Sequence, residues 1–247
     1  MTGHVKRFTK WCVSEELCEG GVHTALTTVP GLRRGKTAAP ESEAAHVPAE
    51  ADIRAGAAYM PGPLGDAVMV QYLTGGRPGE VLGIKPEHVE TDGSVWRIRV
   101  EEHKNAHHGY TRTLYAGPEA QRILKPYLLR EHERPCFRPT DAYKARSERS
   151  TVHRRSNQKP TPRKTDRTLN DQYDVAAYRR ALERACGQAG VKRFTPHKVR
   201  HAAASRFRRE FGLDVCQRLL GHRHAAITEV YAQADEAMAV QAMEKIG

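Results

Sequence analysis

Apolar positions recur at helical spacing near the amino terminus, where Phe8, Trp11, Cys12 and Leu17 predict a helix over residues 5–19. Gly20-Gly21 is expected to stop it, and a short apolar run follows over residues 22–29. Periodicity is then lost. Pro30-Gly31-Leu32-Arg33-Arg34-Gly35-Lys36 leads into an Ala/Glu/Pro-rich stretch that reads as a linker and places a domain boundary near residue 50. Residues 64–73 are largely apolar and predict a buried helix ended by Thr74-Gly75-Gly76. Arg77 opens another short helix, with Pro78 where a missing N–H costs nothing. The period changes to two at Val95-Trp96-Arg97-Ile98-Arg99-Val100, which puts Trp96, Ile98 and Val100 on one face and Arg97 and Arg99 on the other. A polar loop with Lys104 and Gly109 leads to a second strand at about residues 111–115, and Gly117-Pro118-Glu119 starts a helix reaching about residue 130. Helical patterning returns at residues 173–188, 196–211, 213–220 and 227–234, and an amphipathic segment follows at 236–246.

Charge sharpens this picture. Among 247 residues, 40 Lys+Arg stand against 29 Asp+Glu, a net charge of +11. The sequence pI is about 9.6. Such a surplus favours a polyanionic partner, nucleic acid or an anionic membrane. The membrane is disfavoured: mean hydropathy is −0.67, and no stretch nears the roughly 20 apolar residues a span requires. The amino terminus lacks the apolar core of a secretory signal, and neither end has a lipidation pattern. Five cysteines, odd in number and without C-x-x-C, argue against a disulfide framework or zinc ribbon and for a reducing cytosol. The expected class is a soluble, intracellular, basic protein. Residues 138–167 hold seven Arg and three Lys against Asp141, Glu148 and Asp166. They read as a solvated, flexible insertion, which beside nucleic acid would lie along phosphates.

Four short segments carry candidate chemistry. In His197-Lys198-Val199-Arg200-His201, helical spacing puts His197, Arg200 and His201 on one face, which calls for an anion or solvent. The two histidines are four apart, but Lys198 stands where a zinc peptidase needs Glu. Leu220-Gly221-His222 ends a helix, and Tyr231 follows nine residues later. Thr74-Gly75-Gly76-Arg77-Pro78-Gly79-Glu80 puts a cation at a helix N-terminus, which disfavours stability but suits an anion docking there, with Glu80 one turn on to hold Arg77. Glu102-His103-Lys104-Asn105-Ala106-His107-His108-Gly109 carries three histidines between two strands, without a carboxylate or cysteine cluster to complete a metal site. Each segment by itself also reads as ordinary surface or core.

Their order and spacing resemble the tyrosine recombinases, the phage-integrase family, over roughly residues 50–247. The resemblance implies a mainly α fold with a small antiparallel β-sheet. It implies Tyr231 as nucleophile, Arg77 and Arg200 as a phosphate clamp, and Lys104 as general acid. His197 and His222 become further phosphate ligands or proton carriers, Glu80 a support for Arg77, and His201 a structural residue. The implied activity is site-specific DNA recombination or integration for a bacterial mobile element, through a 3′-phosphotyrosyl intermediate, with neither a metal nor a nucleotide cofactor. Double-stranded DNA is the implied partner, with a tetrameric homo-oligomer assembling on it in the cytoplasm at the nucleoid. The segment at 236–246 would dock on a neighbouring protomer or pack on its own domain. Against the family's usual complete helical core-binding domain, only about 50 residues precede the linker's end, so the chain is expected to be truncated at its amino terminus. Residues 1–50 would be a core-binding remnant plus linker, and 51–247 the catalytic domain. The interval from Arg200 to His222 is about one residue short of the family spacing. A DNA-binding remnant without recombination activity and a topoisomerase-like strand relaxer are the alternatives.

Overall fold

In the computed structural model, which describes residues 2–32, 35–36, 46–101, 112–144 and 169–221, Gly20-Gly21 begins a helix rather than ending one. The chain divides into two units, residues 1–45 and 46–247. In the first, α1 (Thr2–Ser14) and α2 (Gly20–Thr28) pair as a hairpin. Lys6 Nζ donates to the carbonyls of Thr27 and Val29 at the end of α2, where the negative end of the helix dipole favours a cation. Thr9 Oγ1 lies 3.2 Å from His23 Nδ1. Neither helix buries a residue.

The second unit begins with α3 (Glu50–Ala58), a helix that the sequence pattern does not single out. The apolar stretch at 64–73 becomes α4 (Gly62–Thr74), opened by Pro63 in its first turn and closed by left-handed Gly75 at φ 66°. Arg77 caps α5 (Pro78–Leu82). After a 3₁₀ turn at Pro86–His88, strands β1 (Val89–Glu90), β2 (Trp96–Val100) and β3 (Arg112–Ala116) form an antiparallel sheet in the order β1-β2-β3. Ile98 faces Leu114 across the β2–β3 register. Both are fully buried, while Arg97 and Arg99 are exposed, as the two-residue period requires. Then follow α6 (Pro118–Leu128), helical residues 139–144, α7 (Val175–Ala189) and α8 (Pro196–Leu220).

α4 is the axis of this unit. It packs against α3, α5, α6, α8 and β3, which is why its apolar residues run all round instead of along one stripe. Leu64, Val68, Val70, Ile53, Leu114, Leu124, Leu182 and Val199 form the core around it, each contributing about 1.5–3 kcal/mol by leaving water. Tyr127 meets Phe137 edge-on at 5.0 Å between ring centroids. α8 breaks at Gly212, whose φ of 83° and ψ of 178° are not helical, so residues 196–211 and 213–220 run as two helical pieces, matching the two segments read from the sequence. At the start of the basic stretch, Asp141 pairs with both Arg130 and Arg138. The remainder of that stretch from residue 145, and the expected helices at 227–234 and 236–246, lie outside the described residues. No helix among the described residues is long and apolar enough to cross a membrane.

Candidate active site

The sharp end of α4 brings the first pieces together. Because Gly75 turns left-handed, its carbonyl points away from α4 and accepts from Arg200 Nη1 at 2.6 Å. Arg200 Nη2 donates at 2.9 Å to the carbonyl of Leu220, the last residue of α8. The Arg200 guanidinium, only 3% exposed, therefore lies between the carbonyl ends of two helices. Their partial negative charges make a favourable seat for a buried cation.

Two residues after Gly75, Arg77 is held from behind. The Glu80 carboxylate accepts from the Arg77 backbone N–H at 2.9 Å and from its Nη1 at 2.6 Å, completing the glutamate half of a capping box. Glu80's side chain is 2% exposed and Arg77's is 31% exposed, so the carboxylate is hidden while the guanidinium reaches solvent. Burial works to raise the Glu80 carboxyl, but the charge of Arg112 and the bonds from Arg77 outweigh it and hold the group below its ordinary value.

His197 stands in the first turn of α8. Desolvation, then the positive charges of Arg200 and Arg77, keep it below the usual imidazole value, so it is neutral near pH 7 and able to accept a proton. One turn on, desolvation and the charges of Lys198, His197 and Arg200 push His201 down to about 4. These depressed values fix a pH dependence of stability. The unfolded chain takes up protons at ordinary histidine pKa while the folded chain does not, so stability is lost as pH falls through about 6.5 towards 4. The melting temperature measured by calorimetry should therefore fall between pH 7.5 and 5.0, and the fall should shrink in His201→Gln. An equal fall in the variant would count against the assignment.

A second layer, which the sequence reading did not pick out, ties these pieces together. Gln71, fully buried in α4, donates through Nε2 to the carbonyls of Gly76 and Pro196 at 3.2 and 3.0 Å. Its Oε1 accepts from Tyr178 Oη on α7 at 2.9 Å. Burial raises the Tyr178 phenol well above its usual value, keeping it a neutral donor. Arg112 on β3 is also buried, with Nε 3.7 Å from Glu80 Oε2. The signals were there: Gln71 interrupts an apolar helix, and the alternation of β3 turns Arg112 inward beside Leu114 and Ala116.

Of the residues expected in the site, the structure gathers Arg77, Glu80, His197 and Arg200, with His201 beside them on α8. Lys104, His222 and Tyr231 lie outside the described residues. The gathered set has more cationic groups than its buried carboxylate neutralises, and it is suited to a bound anion with charge spread over several oxygens.

A sequence model of the phage integrase family matches residues 58–238. No curated protein sequence matches the chain. Among solved structures, XerA recombinase superposes with a TM-score of 0.57 at 17% identity, over 99% of this chain and 82% of that one. Tn1549 transposon integrase in complex with transposon right end DNA gives 0.57 at 14% identity, over 99% and 84%. A lambda integrase dimer bound to a COC′ core site gives 0.58 at 16% identity, over 93% and 57%. XerH site-specific recombinase bound to its difH substrate gives 0.51 at 17% identity, with 78% of this chain covering 51% of that one, so the chain spans about half the XerH length. These structures share the mainly helical fold with its small antiparallel sheet.

Proposed function

Because the chain belongs to the phage integrase family, we propose that it cleaves and rejoins double-stranded DNA by transesterification through Tyr231, in site-specific recombination or integration of a mobile element. The observation that carries this reading is that Arg200, seated on two helix ends and bonded to the Gly75 carbonyl two residues before Arg77, and Arg77, backed by a hidden carboxylate, both act with their charge on His197. A phosphodiester under attack gathers charge on its non-bridging oxygens, and two fixed guanidiniums meet that charge without reorganising.

In the proposed step, Tyr231 Oη attacks phosphorus as the bond to the 5′ oxygen breaks. The phenol proton passes to neutral His197, and Lys104 protonates the departing 5′ oxygen, a contribution of about 10²–10⁴ in rate. His222 adds a further donor to the phosphate. The resulting 3′-phosphotyrosyl ester keeps the bond energy, so attack by a 5′ hydroxyl rejoins the strand with no nucleotide consumed and no metal. We assign this chemistry to residues 51–247, and residues 1–50 to helical core-binding sequence and linker. The working form on DNA would be a homo-oligomer, tetrameric when two sites are exchanged, acting at the bacterial nucleoid.

The test is to incubate the full chain with a library of nicked, random-sequence duplexes and resolve the products on a denaturing gel. The expected result is a covalent protein–DNA adduct whose digested peptide carries the nucleotide on Tyr231. DNA binding without any adduct would overturn the proposal in favour of a binding protein. Relaxation of supercoiled plasmid without exchange between two sites would redirect it to a topoisomerase-like activity.

A further inference from the structure

β3 carries a charge where its neighbours are apolar. Arg112 points inward with Leu114 and Ala116 and is 7% exposed. Among the described residues its Nε and Nη2 have no hydrogen-bond partner within normal distance, and its ion pair to Glu80 Oε2 is long at 3.7 Å. Burial lowers the guanidinium below its usual value even against the pull of Glu80. As a device for stability this is poor, since an apolar side chain of similar volume would fill the space without desolvating a cation.

Two contacts show what the charge is placed to do. On one side is Glu80, the carboxylate that holds Arg77 through both its backbone N–H and its Nη1. Without a second cation, that carboxylate would be buried against Arg77 alone. On the other side is Gly221, left-handed at φ +64°, the residue immediately before His222. A Cβ on Gly221 would sit 2.7 Å from Arg112 Nη1 and 3.1 Å from its Cζ and Cδ, so the guanidinium lies directly against this turn. The side chain spans the gap between the support of Arg77 and the turn at the end of α8.

Resting on the reading of the chain as a strand-cleaving enzyme, we propose that Arg112 is a positioning residue for cleavage. It fixes the Arg77 guanidinium through Glu80, and it sets the Gly221 turn that leads to His222. Buried this deeply, it acts through these neighbours and does not touch the DNA.

Two measurements on the full chain test this. The first is single-turnover cleavage of a nicked duplex recovered from the adduct library, at saturating DNA, in Arg112→Met, Arg112→Lys, Glu80→Gln and the Met/Gln double variant. Arg112→Met should slow cleavage by about 10–100-fold, the scale of a small misplacement of a reacting group, with DNA affinity unchanged within about twofold. Arg112→Lys should recover most of the rate. The double variant should be slower than the slower single one, but by clearly less than the product of the two fold-changes, because the share that Arg112 exerts through Glu80 is already lost in Glu80→Gln. Fold-changes that multiply would overturn the proposal.

The second measurement needs no cleavage. Guanidinium NMR of the free protein should show separate Nη signals for Arg77 in the wild type and Arg112→Lys, merging in Arg112→Met as rotation is freed. Unchanged Arg77 signals would overturn the proposal. If the wild type cleaves no duplex, the proposed function fails, and this second arm still decides whether Arg112 holds Arg77. Arg112→Gln replaces Arg112→Met should the latter not fold. A protein that folds with neither would mean that Arg112 is structural, and the proposal would fall.

Discussion

Replacing Arg200 with alanine is expected to slow strand cleavage by about 10²–10³-fold, the typical cost of removing one fixed donor from a developing oxyanion. It should also lower the unfolding free energy by about 2–6 kcal/mol, at about 1–3 kcal/mol for each buried acceptor left without its donor. Both effects come from one geometry. Arg200 is almost wholly buried, and its two Nη groups bond the carbonyls of Gly75 and Leu220. Alanine strands both carbonyls and leaves a void between the ends of α4 and α8. Those ends set the directions of the Arg77 turn and the Gly221 turn, so the loss reaches beyond one missing charge. Arg200→Lys separates the contributions. A single ammonium has no planar fork to bridge two carbonyls, so the charge returns while much of the stability loss remains. Urea denaturation and single-turnover cleavage at saturating DNA measure the two effects. An alanine variant that cleaved at the wild-type rate would remove Arg200 from the phosphate clamp.

How much of this was legible in the chain depended on whether the signal was local. The end of α4 at Gly75, the capped start of α5 and the inward face of β2 follow from rules spanning a few residues, and the structure has them where the sequence put them. The break in α8 at Gly212 falls in the gap between the helical segments expected at 196–211 and 213–220. Gly20-Gly21 misled, because glycine permits a helix start as readily as a stop, and the choice fell to the packing of α2 on α1. α3 was missed because its Ala- and Gly-containing sequence has no apolar stripe; Ile53 and Ala57 bury because α4 and α7 lie beside them. Of the expected site, Arg77, Glu80, His197 and Arg200 were named because the order and spacing of their motifs resemble the phage-integrase pattern. What holds them could not. Residue 71 meets residues 76, 178 and 196, and residue 112 meets 80 and 221, only once the fold has closed.

That closure makes Gln71 as exacting a position as Arg200. Gln71→Leu keeps nearly the same volume and should pack without a void, so its cost isolates the hydrogen bonds. Two carbonyls, Gly76 O and Pro196 O, lose their donor, and the phenol of fully buried Tyr178 loses its acceptor. At about 1–3 kcal/mol for each of the three stranded groups, the expected destabilisation is roughly 3–9 kcal/mol, a large share of the 5–15 kcal/mol typical of a domain. Gly76 immediately precedes Arg77, and Pro196 immediately precedes His197. The amide of Gln71 is therefore a direct tie between the Arg77 turn and the start of α8. Loosening it should slow cleavage by about 10²-fold, the scale set by misplacing a reacting group by an ångström. Tyr178→Phe supplies the control. It strands a single group, Gln71 Oε1, and should cost only about 1–3 kcal/mol. Combined with Gln71→Leu, it should cost less than the sum of the two, because the phenol left stranded by leucine is then gone. Urea unfolding of the four proteins measures this cycle. A Gln71→Leu variant within about 1 kcal/mol of the wild type, below what even one stranded buried group should cost, would mean that these bonds do not hold the site together.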